Sequence, residues 1–116
     1  MKNKLISWSG YIEMINYLAN QIIESKQKFD GVYGVPRGGL IIAVCLSHKL
    51  NLPMLLQPTK KSLIVDDISD TGHTVNHLPK KRLATLFTTN WTKSPPDWFC
   101  DIKEKKEDWI VFPYEK

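Results

Sequence analysis

The stretch Leu63-Ile64-Val65-Asp66-Asp67-Ile68-Ser69-Asp70-Thr71-Gly72-His73-Thr74 constrains this chain more than any other. Residues 62–65 form an apolar run of the kind that makes a buried parallel strand. The run feeds two adjacent carboxylates, Asp66 and Asp67, and a third follows at Asp70. Thr71-Gly72-His73-Thr74 then turns the chain into a short helix that Pro79 cuts off. Backbone N–H groups at a helix start bind phosphate, helped by the helix dipole. Gly72 permits a positive φ and close approach of a ligand, and Thr71 and Thr74 can donate hydroxyls to phosphate oxygens. Paired carboxylates beside a phosphate can bind sugar hydroxyls or hold Mg²⁺, which prefers oxygen ligands. A plain surface turn capping a helix would account for Ser69 or Asp70. It would not account for three carboxylates at the end of a buried strand, where mutual repulsion needs a cation or hydroxyl donors.

The rest of the chain supplies the frame for this turn. Tyr11, Met14, Ile15, Leu18, Ala19, Ile22 and Ile23 recur at helical spacing. They predict a helix over 11–23, with Ser9 as N-cap and Glu13 in the first turn. Residues 32–35 predict a short strand. Pro36-Arg37-Gly38-Gly39 packs one proline and two glycines into four residues and must turn. A second helix carries Leu40, Ile41, Val44 and Cys45 as apolar positions, with Leu46 and Leu50 as further candidates, until Asn51-Leu52-Pro53 breaks it. Residues 54–56 and 83–87 predict further strands, 88–96 an irregular loop, and 98–100 and 109–112 late apolar pieces. Strands, turns and helices alternate, which predicts an α/β fold with a mostly parallel central sheet flanked by helices. In such sheets ligands bind outside the carboxyl ends of the strands. The turns at 36–39 and 66–74 both lie at such ends.

With 116 residues the chain can bury one core but not two, so 1–116 is read as a single domain. Hydrophobic residues at 42% and charged residues at 24% exclude disorder. No apolar run reaches the ~18 residues a membrane helix needs, and no apolar core follows the basic start as in a secretory signal. The net charge of +4 suits an anionic ligand. Lys60-Lys61, Lys80-Lys81-Arg82 and the 103–106 stretch are short, and the last is interleaved with acids, so they are read as solvated faces. Nucleic acid ranks last as a partner, because the carboxylate cluster would repel a phosphate backbone. Cys45 and Cys100 stand far apart in no metal spacing, which points to reduced thiols and a cytoplasmic protein. His73 and His77 are read as a surface pair rather than a zinc site.

The run of apolar residues, two acids, two variable residues and Asp-Thr-Gly-X-Thr resembles the signature of the type I phosphoribosyltransferases. The likeness extends to Asp30 through Leu40, which is similar to the family's pyrophosphate-binding strand and turn. Trp109-Ile110-Val111-Phe112-Pro113-Tyr114-Glu115 resembles the C-terminal segment of its small purine members, of the hypoxanthine and xanthine–guanine type. The resemblance implies a transferase that moves the 5-phosphoribosyl group from phosphoribosyl pyrophosphate to a 6-oxopurine, in a minimal version of that fold. It implies that Asp66 and Asp67 hold the ribose hydroxyls and, directly or through water, Mg²⁺, and that Asp70 is the base near purine N7. Thr71, Gly72, His73 and Thr74 would hold the 5′-phosphate. Arg37 and the Gly38 amide would meet pyrophosphate, in a turn where the family often has a cis peptide. Trp109 would stack on the purine while Ile110 backbone groups read its edge. Relatives are commonly dimers, and a homodimer is expected here.

The chain departs from the family at three points. Only residues 57–62 connect the 54–56 and 63–65 strands, where relatives carry a long flexible lid. Relatives place a base-recognising lysine just after the 83–87 strand, where this chain has Thr89 or Asn90, with Lys93 nearby as a substitute. The helix after Thr74 is short. The alternative reading is therefore a relative that binds phosphoribosyl pyrophosphate or a purine nucleotide without turnover, as a sensor or sequestering module.

Overall fold

The computed structural model describes residues 3–72 and 82–115. Strands Asn3–Leu5 (β1), Val32–Gly34 (β2), Leu63–Ser69 (β3), Arg82–Thr88 (β4), Asp101–Ile102 (β5) and Trp109–Val111 (β6) accompany helices Trp8–Ser25 (α1) and Leu40–Leu50 (α2), and a 3₁₀ turn at Pro113–Glu115. A four-stranded sheet has the order β2-β3-β4-β5, and every pairing in it is parallel. β1 and β6 form a separate two-stranded parallel sheet. The expected α/β fold with a parallel sheet is therefore present.

α1 begins a turn earlier than the periodicity predicts. Its N-cap is Ser7, not Ser9: Ser7 is extended, and its hydroxyl accepts from the Gly10 N–H at 3.0 Å. This also moves Glu13 out of the first turn. Lys26, in the left-handed conformation, ends the helix by donating its N–H to the Ile23 carbonyl. Of the predicted face, Tyr11, Ile15, Leu18, Ala19 and Ile22 form the buried stripe and Met14 is half-buried beside it, but Ile23 is exposed at the stripe's edge. The stripe packs with Ile42, Ala43 and Leu46 of α2 against Leu63, Val65, Ala84 and Leu86 of the sheet. Burial of such side chains stabilises by about 1.5–3 kcal/mol each before chain entropy is charged against it. Val35, Ile64 and Leu83 form a smaller cluster on the opposite face, with Tyr33 beside it.

Three strand expectations are revised. Residues 54–56 make a single bridge, Met54 to Val32, rather than a strand. Pro53 accepts the Val32 N–H, Leu55 returns one bond to the Val32 carbonyl, and Leu56 then turns into solvent. β3 does not stop at Val65 but runs through both aspartates to Ser69, because β4 continues beside it, pairing Ile68 with Phe87 and Ser69 with Thr88. The N-terminal strand was not anticipated: three exposed residues carry no burial pattern, and only pairing to β6, more than a hundred positions away, makes them a strand. The helix expected after Thr74, with His73, Thr74 and His77, lies outside the described residues. No described helix is long and apolar enough to cross a membrane.

Candidate active site

The carboxyl end of β3 brings the two sequence-predicted turns together. Pro36, Gly38, Asp66, Asp67, Asp70, Thr71 and Gly72 share the wall of one cavity of about 280 Å³. The Pro36–Arg37 peptide is cis. A Cβ on Gly38 would fall on the Asp67 carboxylate, so any other residue there would displace that side chain. Two further cavities open beside this one. One, of about 170 Å³, is lined by Asp67, Asp70, Lys103, Trp109 and Ile110 among others. The second, of about 650 Å³, is lined by Arg37, Gly38, Asp67, Tyr114 and Glu115. Asp67 lines all three and stands at their junction.

Asp66 and Asp67 are both half-buried, and each accepts a hydrogen bond from the next backbone N–H, Asp67 and Ile68 respectively, at 2.8 Å. Burial, and then the charge of Asp67, push the Asp66 carboxyl up to about 8. The pair thus resists carrying two negative charges unaided, and it suits a cation or hydroxyl donors. Asp67 already has one such donor: the Tyr114 hydroxyl reaches its Oδ2 at 2.6 Å. Burial and that hydrogen bond hold Tyr114 well above the usual phenol range, so it acts as a donor.

Both carboxylate oxygens of Asp70 have a partner, while its side chain stays partly exposed. Its Oδ2 pairs with Lys103 Nζ at 2.8 Å, its Oδ1 accepts from Trp91 Nε1 at 3.0 Å, and its carbonyl accepts from the Thr89 hydroxyl at 2.6 Å. Lys103 corrects the reading of 103–106 as a solvated face: its side chain is only 6% exposed, while Lys105 and Lys106 are exposed. The cause is β5, which pairs with the end of β4. The Lys103 N–H bonds the Thr88 carbonyl at 2.9 Å, which aims the side chain inward at Asp70. No local pattern separates Lys103 from its neighbours. Lys93, the substitute considered from the sequence, is exposed, and Thr89 is buried beneath Asp70.

Gly72 has a φ of +85°, the conformation that favours glycine. The 69–72 turn is braced by the loop after β4: Ser69 bonds Thr92 and the Ser94 carbonyl, Ser94 Oγ donates to the Gly72 carbonyl, and the Lys93 N–H donates to the Thr71 carbonyl. Thr71 is exposed at its tip, and Arg37 is exposed on the facing turn. Trp109 is 59% exposed at the rim and Ile110 is half-buried beneath it. A tryptophan held open beside buried polar groups can stack on a planar ligand. Trp98 by contrast is core, and Trp91 serves Asp70.

The chain also resembles known proteins in sequence and in structure. No family model matches it. It is 31% identical to a purine phosphoribosyltransferase from Pyrococcus horikoshii Ot3, with a TM-score of 0.83 covering 100% of this chain and 96% of that one. A xanthine-guanine-hypoxanthine phosphoribosyltransferase from Helicobacter pylori, at 22% identity, shares the fold with a TM-score of 0.78, covering 97% of this chain and 93% of the other. A xanthine-guanine phosphoribosyltransferase from Idiomarina loihiensis is 26% identical, covering 95% of this chain and 85% of that protein. With sequence and fold both matching nearly end to end, the chain belongs to the purine phosphoribosyltransferase family.

Proposed function

We propose that the protein transfers the 5-phosphoribosyl group of phosphoribosyl pyrophosphate to a 6-oxopurine, giving the nucleotide and pyrophosphate. The observation that carries this reading is the meeting of the 36–38 turn, the Asp66–Asp67 pair and the 70–72 turn around one cavity. Thr71 and Gly72, with His73 and Thr74, hold the 5′-phosphate through backbone N–H groups and hydroxyls. Asp66 and Asp67 take the ribose hydroxyls. Arg37 and the Gly38 amide take the leaving pyrophosphate. Trp109 stacks on the base and Ile110 backbone groups read its edge. Lys103, buried beside Asp70 in the adjoining cavity, donates to a carbonyl oxygen of the base.

Displacement at ribose C1 breaks the bond to pyrophosphate oxygen and forms one to a base nitrogen, through an oxocarbenium-like state. Carboxylates near the ribose favour the developing cation, and Asp70 receives the proton at N7. The adjacent carboxylates of Asp66 and Asp67 would hold Mg²⁺, directly or through water, and the ion would supply charge neutralisation for the leaving pyrophosphate. The reading includes a homodimer, for which α2 leaves Leu40 and Val44 exposed one turn apart. It also includes a cytoplasmic setting, which suits the free thiols of Cys45 and Cys100.

The test is to incubate the protein with Mg²⁺, phosphoribosyl pyrophosphate and, separately, hypoxanthine, xanthine, guanine or adenine. Mass spectrometry then looks for the nucleotide, with Asp70→Asn as control after its fold is verified. Nucleotide from an oxopurine, absent in the control, is the expected result. Tight binding with no nucleotide from any base would replace the transferase with a sensing or sequestering role.

A further inference from the structure

We infer that Tyr114 is a positioning residue whose hydroxyl holds the Asp67 carboxylate against the 36–39 turn, so that the C-terminal segment sets the geometry between the ribose and pyrophosphate ends of the site. This rests on the phosphoribosyl pyrophosphate reading above. Asp67 Oδ2 receives the Tyr114 hydroxyl at 2.6 Å, and its Oδ1 receives the Ile68 N–H at 2.8 Å, so both oxygens are fixed. The carboxylate lies where a Cβ on Gly38 would be, and is thereby confined between that turn and the phenol. Tyr114, Asp67, Gly38 and Arg37 face the same cavity.

The ring of Tyr114 is held by contacts that do not need its hydroxyl. It stacks on Phe112, with centroids 5.7 Å apart and planes 4° apart, and meets the edge of buried Tyr11 at 5.8 Å. The turn that carries it is closed by the Phe112 N–H bonding Glu115 Oε1 at 2.8 Å, and the segment is anchored through β6 to β1. Removing the hydroxyl therefore releases Asp67 while leaving the ring seated. A side chain that merely packed would need no phenol oxygen pointed into the site.

The test is Tyr114→Phe, compared with the unsubstituted protein in steady-state kinetics and in calorimetric binding of phosphoribosyl pyrophosphate with Mg²⁺. The expected result is a rise in Kd and KM for phosphoribosyl pyrophosphate of roughly tenfold, the scale of one hydrogen bond to a charged group. KM for the base should not change, and the Tm should hold to within a few degrees. In a cycle with Asp67→Ala, which deletes the acceptor, adding Tyr114→Phe should cost little more, because the contact it removes is already gone. An unchanged Kd, equal losses for both substrates, additive effects, or a loss that only follows a lowered Tm would each overturn the assignment. If the unsubstituted protein fails to bind phosphoribosyl pyrophosphate, the functional reading falls and this one with it; binding that Tyr114→Phe leaves intact refutes the positioning role alone.

Discussion

Asp66→Asn should stabilise the ligand-free protein, and increasingly so as the pH rises. Burial and the neighbouring Asp67 raise the Asp66 carboxyl from 3.8 to about 8. Between those values the unfolded chain has released the proton and the folded chain retains it, so stability falls as pH rises across the window and levels off above it. At ~1.36 kcal/mol per unit, the three units from pH 5 to pH 8 amount to about 4 kcal/mol. Asp66 lies on an open cavity, and water there lowers the figure to about 2 kcal/mol. Asparagine keeps an oxygen for the Asp67 N–H, which donates at 2.8 Å, and removes only the charge. Urea unfolding in the presence of a chelator, at pH 5, 6.5 and 8, would show the gain of the variant growing by about 2 kcal/mol across the series. A gain that is absent, or the same at every pH, would refute the claim that burial and the neighbouring charge raise Asp66. The same variant should also lose transfer activity if Asp66 takes the ribose hydroxyls as proposed.

Other substitutions probe the surrounding contacts. Asp70→Asn leaves Lys103 buried without its partner and should cost about 2 kcal/mol, somewhat below the usual figure for a broken buried pair because Asp70 is partly exposed; adding Lys103→Met should recover most of it, as urea unfolding of the single and double variants would reveal. Trp109→Ala should leave stability within ~0.5 kcal/mol, since the ring is mostly exposed, yet weaken nucleotide binding by roughly tenfold through lost stacking, measured by calorimetry. Gly38→Ala places a methyl group on the Asp67 carboxylate and should lower stability by about 1–3 kcal/mol while abolishing pyrophosphate binding, checked by thermal unfolding and inhibition by pyrophosphate.

Much of the site could be read along the chain. Asp66, Asp67, Asp70 and Gly72 sit in one continuous stretch, and Arg37 and Gly38 in another, because a parallel strand followed by a tight turn is a local pattern. The chemistry of each turn is written in its own few residues. The buried face of α1 and the place of the sheet were legible for the same reason: periodicity reports burial directly. Boundaries were less so. Ser7 rather than Ser9 caps α1, and β3 continues through its aspartates, since capping geometry and strand length depend on what lies alongside.

The partners of those carboxylates were not legible. Lys103 lies 33 residues from Asp70, and Tyr114 lies 47 from Asp67. Each contact exists because a short strand, β5 on β4 or β6 on β1, returns the end of the chain to the site. These strands are two or three residues long, too short for any alternation to announce them. The sequence by itself determined which acidic, glycine and hydroxyl groups gather at the carboxyl end of β3. Only the tertiary structure decided which of them are clamped, paired or left open to a ligand, because burial and charge pairing arise between segments that local pattern cannot connect.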